Sequence, residues 1–225
     1  MNDPRSIYQN YIVLSGKVSE VQHKVSKDGK PYATGLAFLN TGSGKEAMPV
    51  KVVALEEASS ELKEGTSTLV SRLGYEEEIR EGKKTSRILL FLYRVEPVEK
   101  GKPPNLALLS LRLGKDVSSG YSKKGKMWAL VRAAFDQGKK KEGGYRPSLW
   151  MDLKAFTSKD GDQSAPAELS GFKKGDRVNV TGRIEYGTYQ GKPQLSLIAT
   201  KIEPIQQDQT AAKDNEPVNH LVLSQ

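Results

Sequence analysis

"SKDGKPYATG" (residues 26–35) places a turn on a glycine directly before an apolar run, and the chain later writes "SKKGKMWALV" (residues 122–131). An aromatic follows the turn at the same place in both stretches, Tyr32 in the first and Trp128 in the second. A glycine turn before a run that alternates between apolar and polar residues predicts a β-hairpin. The shared turn residues are Ser26, Lys27, Gly29 and Lys30, which recur as Ser122, Lys123, Gly125 and Lys126.

The repeat extends outward from this hairpin. In the same order along the chain, "IVLSGKV" (12–18) resembles "ALLSLRL" (107–113), "LKEG" (62–65) resembles "FKKG" (172–175), and "VEPV" (95–98) resembles "IEPI" (202–205). Several matches in one order indicate two homologous units. We therefore predict a first domain over 1–98, a linker with a Pro-Pro step over 99–104, a second domain over 105–205 and a flexible tail over 206–225.

Each unit is predicted to be mostly strand, because β-branched residues and alternation dominate between turn signals. The first unit has strands at about 11–25, 31–40, 47–55, 66–76 and 85–96. The second has them at about 106–118, 126–136, 147–156, 177–187 and 193–203. A helix is expected at 55–65, whereas its counterpart at 157–172 is less clearly helical. Five strands with a helix between the third and fourth is the order of an OB-fold. The fold class is therefore all-β with a short helix, as tandem five-stranded Greek-key barrels.

Composition favours a polyanionic partner. The 225 residues carry a net charge of +8 and a pI near 9.4, and a basic balance attracts nucleic acid or anionic membrane surfaces. The sequence contains no run of 18 apolar residues, so no membrane span is expected. The N-terminus lacks the apolar core of a signal peptide. With no cysteine in the chain, neither a disulfide framework nor a thiolate metal site is expected.

Catalysis needs converging titratable groups, and the chain offers few. Its two histidines are His23 and His220, of which the second lies in the predicted tail. No phosphate-binding glycine loop, HExxH motif or nucleophile elbow occurs. We expect a protein that is not an enzyme and that uses no metal or cofactor.

The parity of the strands predicts an aromatic and basic surface on the second unit. In "SLWMDLKAF" (148–156) one set of alternate residues is apolar, while the other mixes aromatic and charged side chains that a core would not tolerate. The outward set over the second and third strands holds Trp128, Arg132, Trp150, Lys154 and Phe156. Aromatic rings that stack on bases, beside cations that contact phosphates, suit single-stranded nucleic acid.

The first unit and the hairpins extend this candidate site. By the offset of the repeat, Tyr32 and Phe38 face outward on the second strand of the first unit. The hairpins between strands add basic residues and tyrosines that suit clamps around a single strand. These hairpin candidates are Lys27, Lys30, Lys123, Lys124, Lys126, Lys139, Lys140, Lys141, Arg146, Arg183, Tyr186 and Tyr189. Two alternatives stay open for Trp128 and Trp150, namely an interface with the other barrel or another subunit, and a place in the core.

The chain resembles the bacterial single-stranded DNA-binding proteins (the SSB family), with two OB-folds in one polypeptide. The matching motifs are the Gly-Lys turn before the second strand, a Trp and Phe six residues apart on the third, and a Lys-Gly step before a Val-x-Val-x-Gly-Arg pattern. In this sequence they are Gly29-Lys30 and Gly125-Lys126, Trp150 and Phe156, Lys174-Gly175, and Val178, Val180, Gly182 and Arg183. The resemblance covers about 12–98 and 105–205.

That resemblance implies largely sequence-independent binding of single-stranded DNA in replication, recombination and repair. Family members with one OB-fold per chain assemble as tetramers, so two per chain imply a homodimer with four barrels. Replication or repair proteins are further expected partners, and the location is cytoplasmic and nucleoid-associated, or the gene is carried by a phage or plasmid. Two alternatives stay open: a single-stranded RNA-binding OB protein, and a structural adaptor that uses its aromatic faces for protein contacts.

The two units are not equal. At the places of Trp150 and Phe156 the first unit has Pro49 and Leu55. Its hairpin between strands four and five is acidic. Residues 1–103 hold 16 basic and 14 acidic residues, against 19 and 13 in residues 104–225. The second unit is therefore the expected stronger binder. The end of the chain, "DNEPVNHLVLSQ", is weakly acidic and lacks the terminal aromatic usual in the family, so recruitment through such a tip is not expected.

Overall fold

The structure, a computed structural model, describes residues 8–39, 48–80, 83–98, 104–136, 148–189 and 192–205. These residues form two closed β-barrels, each with one short helix, joined in a single sheet. This is the all-β, tandem-barrel architecture that the sequence predicts. Residues 206–225 lie outside the described residues, so the flexible tail stays a prediction, as do the limits of the domains and the linker.

Barrel one is built from the strands and helix β1 (Asn10–Val25), β2 (Pro31–Leu39), β3 (Met48–Leu55), α1 (Glu57–Glu61), β4 (Gly65–Arg80) and β5 (Lys83–Pro97). β1 pairs with both β2 and β4, and β2 pairs with β3. β3 and β5 run parallel, and the antiparallel β4–β5 pair completes the ring. The order β1-β2-β3-β5-β4 is the Greek-key connection of an OB-fold.

Barrel two repeats this plan with β6 (Asn105–Leu113), β7 (Ser118–Tyr121), β8 (Met127–Phe135), β9 (Leu149–Phe156), α2 (Ser164–Ser170), β10 (Arg177–Tyr189) and β11 (Lys192–Pro204). β6 pairs with β8 and β10, β8 with β9, β9 in parallel with β11, and β10 with β11. Among the described strands, the short β7 pairs with β8 alone.

Two sequence predictions differ from the structure in barrel two. The strand expected over 106–118 is interrupted between Leu113 and Ser118, so it forms the separate strands β6 and β7. Barrel one has a related irregularity, a register shift between Ser19 and Gln22 on β1. Such a break lets one long strand bend from the barrel wall into a hairpin. In the second difference, the stretch 157–172 does contain a helix, α2.

The repeated hairpin turns have the same hydrogen bonds in both barrels. The Ser26 amide donates to the Lys30 carbonyl at 2.8 Å, and the Ser122 amide donates to the Lys126 carbonyl at 2.9 Å. Gly29 and Gly125 have φ angles of 75° and 70°, a left-handed region that glycine enters at little cost. The tight turn predicted from "SKDGK" and "SKKGK" is therefore present twice.

A direct strand pairing joins the barrels. β1 runs antiparallel to β6, with Asn10 opposite Leu109 and Leu14 opposite Asn105. The pairing places β4, β1, β6 and β10 side by side in one continuous sheet. The two barrels thus share backbone hydrogen bonds and do not rely on the 99–104 segment alone.

Each barrel also has an asparagine whose side chain bridges two strands, β1 and β4 in barrel one and β6 and β10 in barrel two. The Asn10 amide nitrogen donates to the Leu73 carbonyl at 2.9 Å, and its oxygen accepts from the Leu73 amide at 2.8 Å. Asn105 makes the same two hydrogen bonds with Ile184, at 2.8 and 2.9 Å. A side-chain amide thereby replaces a strand-pairing residue, which satisfies two backbone groups that would otherwise lack partners.

The cores follow the strand alternation. Ile12, Leu14, Leu69 and Leu90 fill barrel one with almost no exposure, and Leu109, Leu111, Met151 and Leu153 do the same in barrel two. The buried residues of β8 and β9 include most of the apolar set expected from the sequence, namely Ala129, Val131, Ala133, Phe135, Met151, Leu153 and Ala155. Ala134, which the alternation assigned to the outer face, is also buried. The opposite faces of these two strands therefore form an outer surface.

Candidate nucleic-acid interface

The outer surface of β8 and β9 brings together three of the five aromatics predicted for barrel two. Trp128 lies opposite Phe156 in the register, and Trp150 lies opposite the small Ala134. Trp150 is 43% exposed and Phe156 is 47% exposed, while Trp128 is half-buried. Neither tryptophan lies in the core, so the core alternative is excluded for both. This group of Trp128, Trp150 and Phe156 is called the aromatic face below.

The Trp150 ring rests on a glycine. A Cβ atom placed on Gly114 would lie 2.3 Å from Cζ3 of Trp150, far inside contact distance. Gly114 follows the end of β6, and its amide donates to the Arg132 carbonyl at 2.9 Å. The interruption between β6 and β7 therefore supplies a side-chain-free floor beneath the indole. Sequence reasoning missed this role of Gly114, because it treated 106–118 as one strand.

Trp128 has a similar support on β7. It lies opposite Gly120 in the register, and a Cβ atom there would lie 3.0 Å from Cζ2 of Trp128. Both tryptophans are thus held against backbone on one side. A ring fixed in this way loses little conformational freedom when a base stacks on its open side.

The charged residues of this surface share one carboxylate. Arg132 Nη1 lies 3.0 Å from Asp152 Oδ1, and Lys154 Nζ lies 3.9 Å from Asp152 Oδ2. Asp152 is opposite Arg132 in the register. The Asp152 carboxylate orients both cations between the tryptophans. Together, Arg132, Lys154 and Asp152 carry one net positive charge.

The β7–β8 turn presents three lysines to solvent, Lys123, Lys124 and Lys126. They follow β7 directly and precede Trp128, so a cationic edge adjoins the aromatic face. Four further basic candidates, Lys139, Lys140, Lys141 and Arg146, lie outside the described residues, and their predicted role stays a prediction.

The β10–β11 hairpin differs from its prediction. Tyr186 packs, half-buried, against the core of barrel two, on the same side of β10 as Ile184. The parity of β10 causes this position, since even-numbered residues from 178 to 186 point inward. Arg183 faces outward and pairs with Glu185 at 2.8 Å. Tyr189 ends β10, and its side chain lies outside the described part.

Barrel one has two aromatics at the corresponding place, Tyr32 and Phe38, and both are on β2. Phe38 lies opposite Pro49, and the offset of the repeat aligns Phe38 with Ala134. In barrel one the aromatic of this cross-strand pair is Phe38, on the second strand of the repeat. In barrel two it is Trp150, on the third strand, and Ala134 lies opposite. Phe38 is 38% exposed, and Tyr32 lies half-buried opposite Leu55.

The predicted phosphate ligands of barrel one are less available. Lys30 Nζ pairs with Glu56 Oε1 at 3.3 Å, with both side chains well exposed. Lys27 is exposed on the same turn. An exposed pair of this kind contributes little to stability, but Glu56 weakens the attraction of this turn for phosphate.

A second charged group, missed by sequence reasoning, adjoins Trp150. Asp136 accepts hydrogen bonds from Arg112 Nε at 3.1 Å and from Ser148 Oγ at 2.6 Å, and Arg177 Nη2 lies 3.7 Å away. Burial acts to raise the pKa of Asp136, but the hydrogen bonds from Arg112 and Ser148 outweigh it and hold that pKa below its usual value. The hydrogen bond to Asp136 in turn raises the pKa of Arg112.

No group of three or more His, Cys, Asp or Glu side chains that could hold a metal ion occurs among the described residues. Of the helices in the described ranges, none has the length and apolar character to cross a membrane.

Fold and surface together define a tandem OB-fold protein with an exposed aromatic and basic face on barrel two. Solved structures of the single-stranded DNA binding protein from Thermus aquaticus share this fold. A deletion mutant of that protein matches with a TM-score of 0.58 and 19% identity, covering 89% of this chain and 96% of that one. The wild-type form matches with a TM-score of 0.57 and 17% identity, over 89% and 94%. No protein-family model and no curated protein matches the sequence.

These likenesses confirm the fold predicted from the sequence, two OB-folds in one chain. At 17–19% identity they concern the fold alone. What the chain binds has to be argued from its own surface.

Proposed function

We propose that this chain is a non-catalytic protein that binds single-stranded DNA largely independently of sequence. The observation that carries the proposal is the aromatic face, in which two glycine-backed tryptophans and an exposed phenylalanine share one surface with Arg132 and Lys154. Stacked bases on aromatic rings and phosphates on neighbouring cations are the usual means of binding single strands. The Thermus aquaticus proteins of the same fold are named for single-stranded DNA binding, which supports this interpretation.

Bases would stack on Trp150, Phe156 and Trp128, and the lysines of the β7–β8 turn would contact phosphates. Every base has a π-face, so stacking tolerates any sequence. Phosphate contacts release counterions, so the affinity would fall as salt rises. Lys139, Lys140, Lys141, Arg146 and Tyr189 would add to this surface from the hairpins.

Barrel one would bind more weakly. Its Phe38 and Tyr32 offer smaller rings than the tryptophans, and Lys30 is paired with Glu56. The second role proposed for barrel one is the assembly of subunits. Substitution of Phe38 and of Trp150, one at a time, would measure the share of each barrel.

The proposed setting is DNA replication, recombination and repair, with replication or repair proteins as partners. We also propose a homodimer that presents four barrels, on the resemblance to tetramers with one barrel per chain. Light scattering after size-exclusion chromatography would give the molar mass. A mass near twice the 24.8 kDa of one chain would support the dimer.

The proposal is tested by fluorescence anisotropy with a labelled oligo-dT, competed by unlabelled oligo-dT, oligo-U and duplex DNA of equal length. We expect oligo-dT to compete best and duplex DNA worst. Preferential competition by oligo-U would favour an RNA-binding protein instead. Absence of binding to any of the three would favour an adaptor whose aromatic face contacts protein.

A further inference from the structure

A cleft of about 680 Å³ lies where the two barrels meet. Beyond the start of β1 at Asn10, β4 and β6 continue without that strand between them, and the cleft occupies this place. One wall comes from barrel one, with Arg72, Gly74 and Phe91, and the other comes from barrel two, with Arg112, Asp136 and Arg177. Its size falls within the range of about 300–1,000 Å³ that is typical of ligand sites.

The barrel-two wall continues the aromatic face. Trp150 lies opposite Ala134, Ala134 lies opposite Arg112, and Arg112 lies opposite Arg177. These four positions form one row across β9, β8, β6 and β10. Since neighbouring strands lie about 4.8 Å apart, the two arginines lie roughly two and three strand spacings from the exposed indole. A single strand that leaves Trp150 along this row would reach the cleft directly.

The barrel-one wall carries an aromatic ring with an arginine packed over it. The guanidinium carbon of Arg72 lies 4.6 Å from the centre of the Phe91 ring, to which it is opposite in the register. A Cβ atom on Gly74 would lie 2.7 Å from Cε2 of Phe91. Phe91 is thus backed by a glycine, as Trp150 is backed by Gly114.

The segment that enters β1 completes the cleft. The Tyr8 ring is 55% exposed, and Arg177 lies 5.9 Å from its centre. Gln9 Oε1 is buried with no hydrogen-bond partner among the described residues, and Gln9 lines the cleft. With three arginines against one aspartate, the cleft favours an anionic ligand with flat rings.

We propose that the inter-barrel cleft is a second contact site for the same single-stranded DNA, with a base on the stacked Arg72–Phe91 pair and phosphates near Arg72 and Arg177. This inference rests on the proposed function, since it describes where a strand bound to Trp150 continues. The strand would pass from barrel two to barrel one through the cleft between β4 and β6, and not only over the β2–β3 surface of barrel one. The chain would therefore bind a long strand in a way that a short one cannot reproduce.

The test uses the full chain with oligo-dT of two lengths, about 8 nucleotides, as one OB-fold covers, and about 35 nucleotides. We expect Phe91→Ala to weaken binding of the long oligonucleotide about five-fold or more, because stacking on one ring is removed. Binding of the short one should change less than about two-fold, since the aromatic face suffices for it. Trp150→Ala should weaken both.

Tyr93→Ala is the matched control. Tyr93 is on β5, two residues from Phe91, and is 56% exposed but does not line the cleft. This variant should bind both lengths as the wild type does. Arg72→Gln is the second variant, because it leaves the Phe91 ring in place if Phe91→Ala fails to fold. Its salt dependence with the long oligonucleotide should be shallower, because one phosphate would no longer be neutralised.

The outcomes separate the cleft from the proposed function. If the wild type binds neither length, the proposed function itself fails. If the wild type binds both but Phe91→Ala and Arg72→Gln match it on the long strand, the cleft proposal is wrong and the function stands. Molar mass is measured for each variant in parallel. A fall in mass with unchanged affinity per chain would make the cleft a contact between subunits, and would also overturn the proposal.

Discussion

The two tryptophans of barrel two show how residues without side chains shape a binding surface. Gly114 and Gly120 each lie under an indole, and neither glycine has a positive φ angle. Glycine suits these positions because a side chain would collide with the ring, and not because of its backbone conformation. Alanine at Gly114 would place a methyl group 2.3 Å from the Trp150 ring, a distance that requires the ring to move.

We expect Gly114→Ala to weaken oligo-dT binding several-fold with little loss of folding, since the displaced Trp150 ring is at the surface. Trp fluorescence of the free protein should also change, because the indole environment changes. Gly171→Ala is the control, as its Cβ would meet only ordinary contacts at 3.4 Å. Unchanged affinity in Gly114→Ala would show that the glycine floor does not position Trp150 for binding.

At the scale of strands, the asparagine side chains link β1 to β4 in barrel one and β6 to β10 in barrel two. Asn10 and Asn105 occupy matching places in the repeat, and each forms two hydrogen bonds with one backbone residue. These bonds lie beside the β1–β6 pairing, so they hold the barrel walls where the barrels join.

Asn10→Ala should lower the free energy of unfolding by about 2 kcal/mol, because two backbone groups of Leu73 lose their partners. Asn10→Asp is the comparison, since it keeps an acceptor for the Leu73 amide but cannot donate to its carbonyl. Its stability should fall between those of the wild type and the alanine variant. Urea unfolding followed by circular dichroism gives the order, and equal stability of all three proteins would contradict the bridging role.

The Asp136 network predicts a specific pH dependence. The folded pKa of Asp136 is lowered, so its carboxylate stabilises the fold above the unfolded pKa, and this contribution is lost as the pH falls through the folded pKa. Asp136→Asn should therefore flatten the decline in Tm below about pH 4. Melting curves of both proteins, recorded from neutral pH down through the acid range, check it. Parallel declines would mean that Asp136 does not contribute to acid sensitivity.

The hairpins and strand faces could be predicted from sequence because both depend on local rules. Glycine in the turn and alternation along β8 and β9 are read directly from neighbouring residues. The role of Gly114 after β6 could not be predicted, because the Trp150 ring that it contacts comes from a distant strand. The correspondence between Phe38 and Trp150 could not be predicted either. The two residues are on different strands of the repeat, and only the strand register shows that they occupy the same cross-strand pair.

Other features of the site also needed the three-dimensional arrangement. The sequence grouped Tyr186 with the surface aromatics, but the parity of β10 packs it against the core. Arg112, Asp136 and Arg177 are far apart in sequence and meet only through the β6–β8 and β6–β10 pairings. The cleft between the barrels depends on the β1–β6 pairing, which no local pattern indicates.

At the scale of the whole molecule, the duplicated hairpin offers an internal comparison of charge. The β7–β8 turn carries Lys123, Lys124 and Lys126, while the β1–β2 turn carries Lys27 and a Lys30 that is paired with Glu56. The proposed function makes the first turn a phosphate contact and the second a weaker one. The charge imbalance between the two halves of the chain agrees with this order.

Changing Lys123, Lys124 and Lys126 together to Gln should reduce the salt slope of oligo-dT binding by about 2, because each phosphate neutralised on a single strand contributes roughly 0.7 to that slope. Changing Lys27 and Lys30 to Gln should reduce it by less than about 1. Affinities measured over a series of salt concentrations give both slopes. Equal slopes for the two variants would contradict the assignment of the stronger site to barrel two.

The most direct test of the central claim is a tryptophan fluorescence titration with oligo-dT, since both tryptophans of the chain belong to the aromatic face. We predict strong quenching that saturates and weakens as salt rises. Trp150→Ala should lower the affinity by about 1–3 kcal/mol while leaving the protein folded. Unchanged emission on binding, or full affinity in Trp150→Ala, would contradict base stacking on this face.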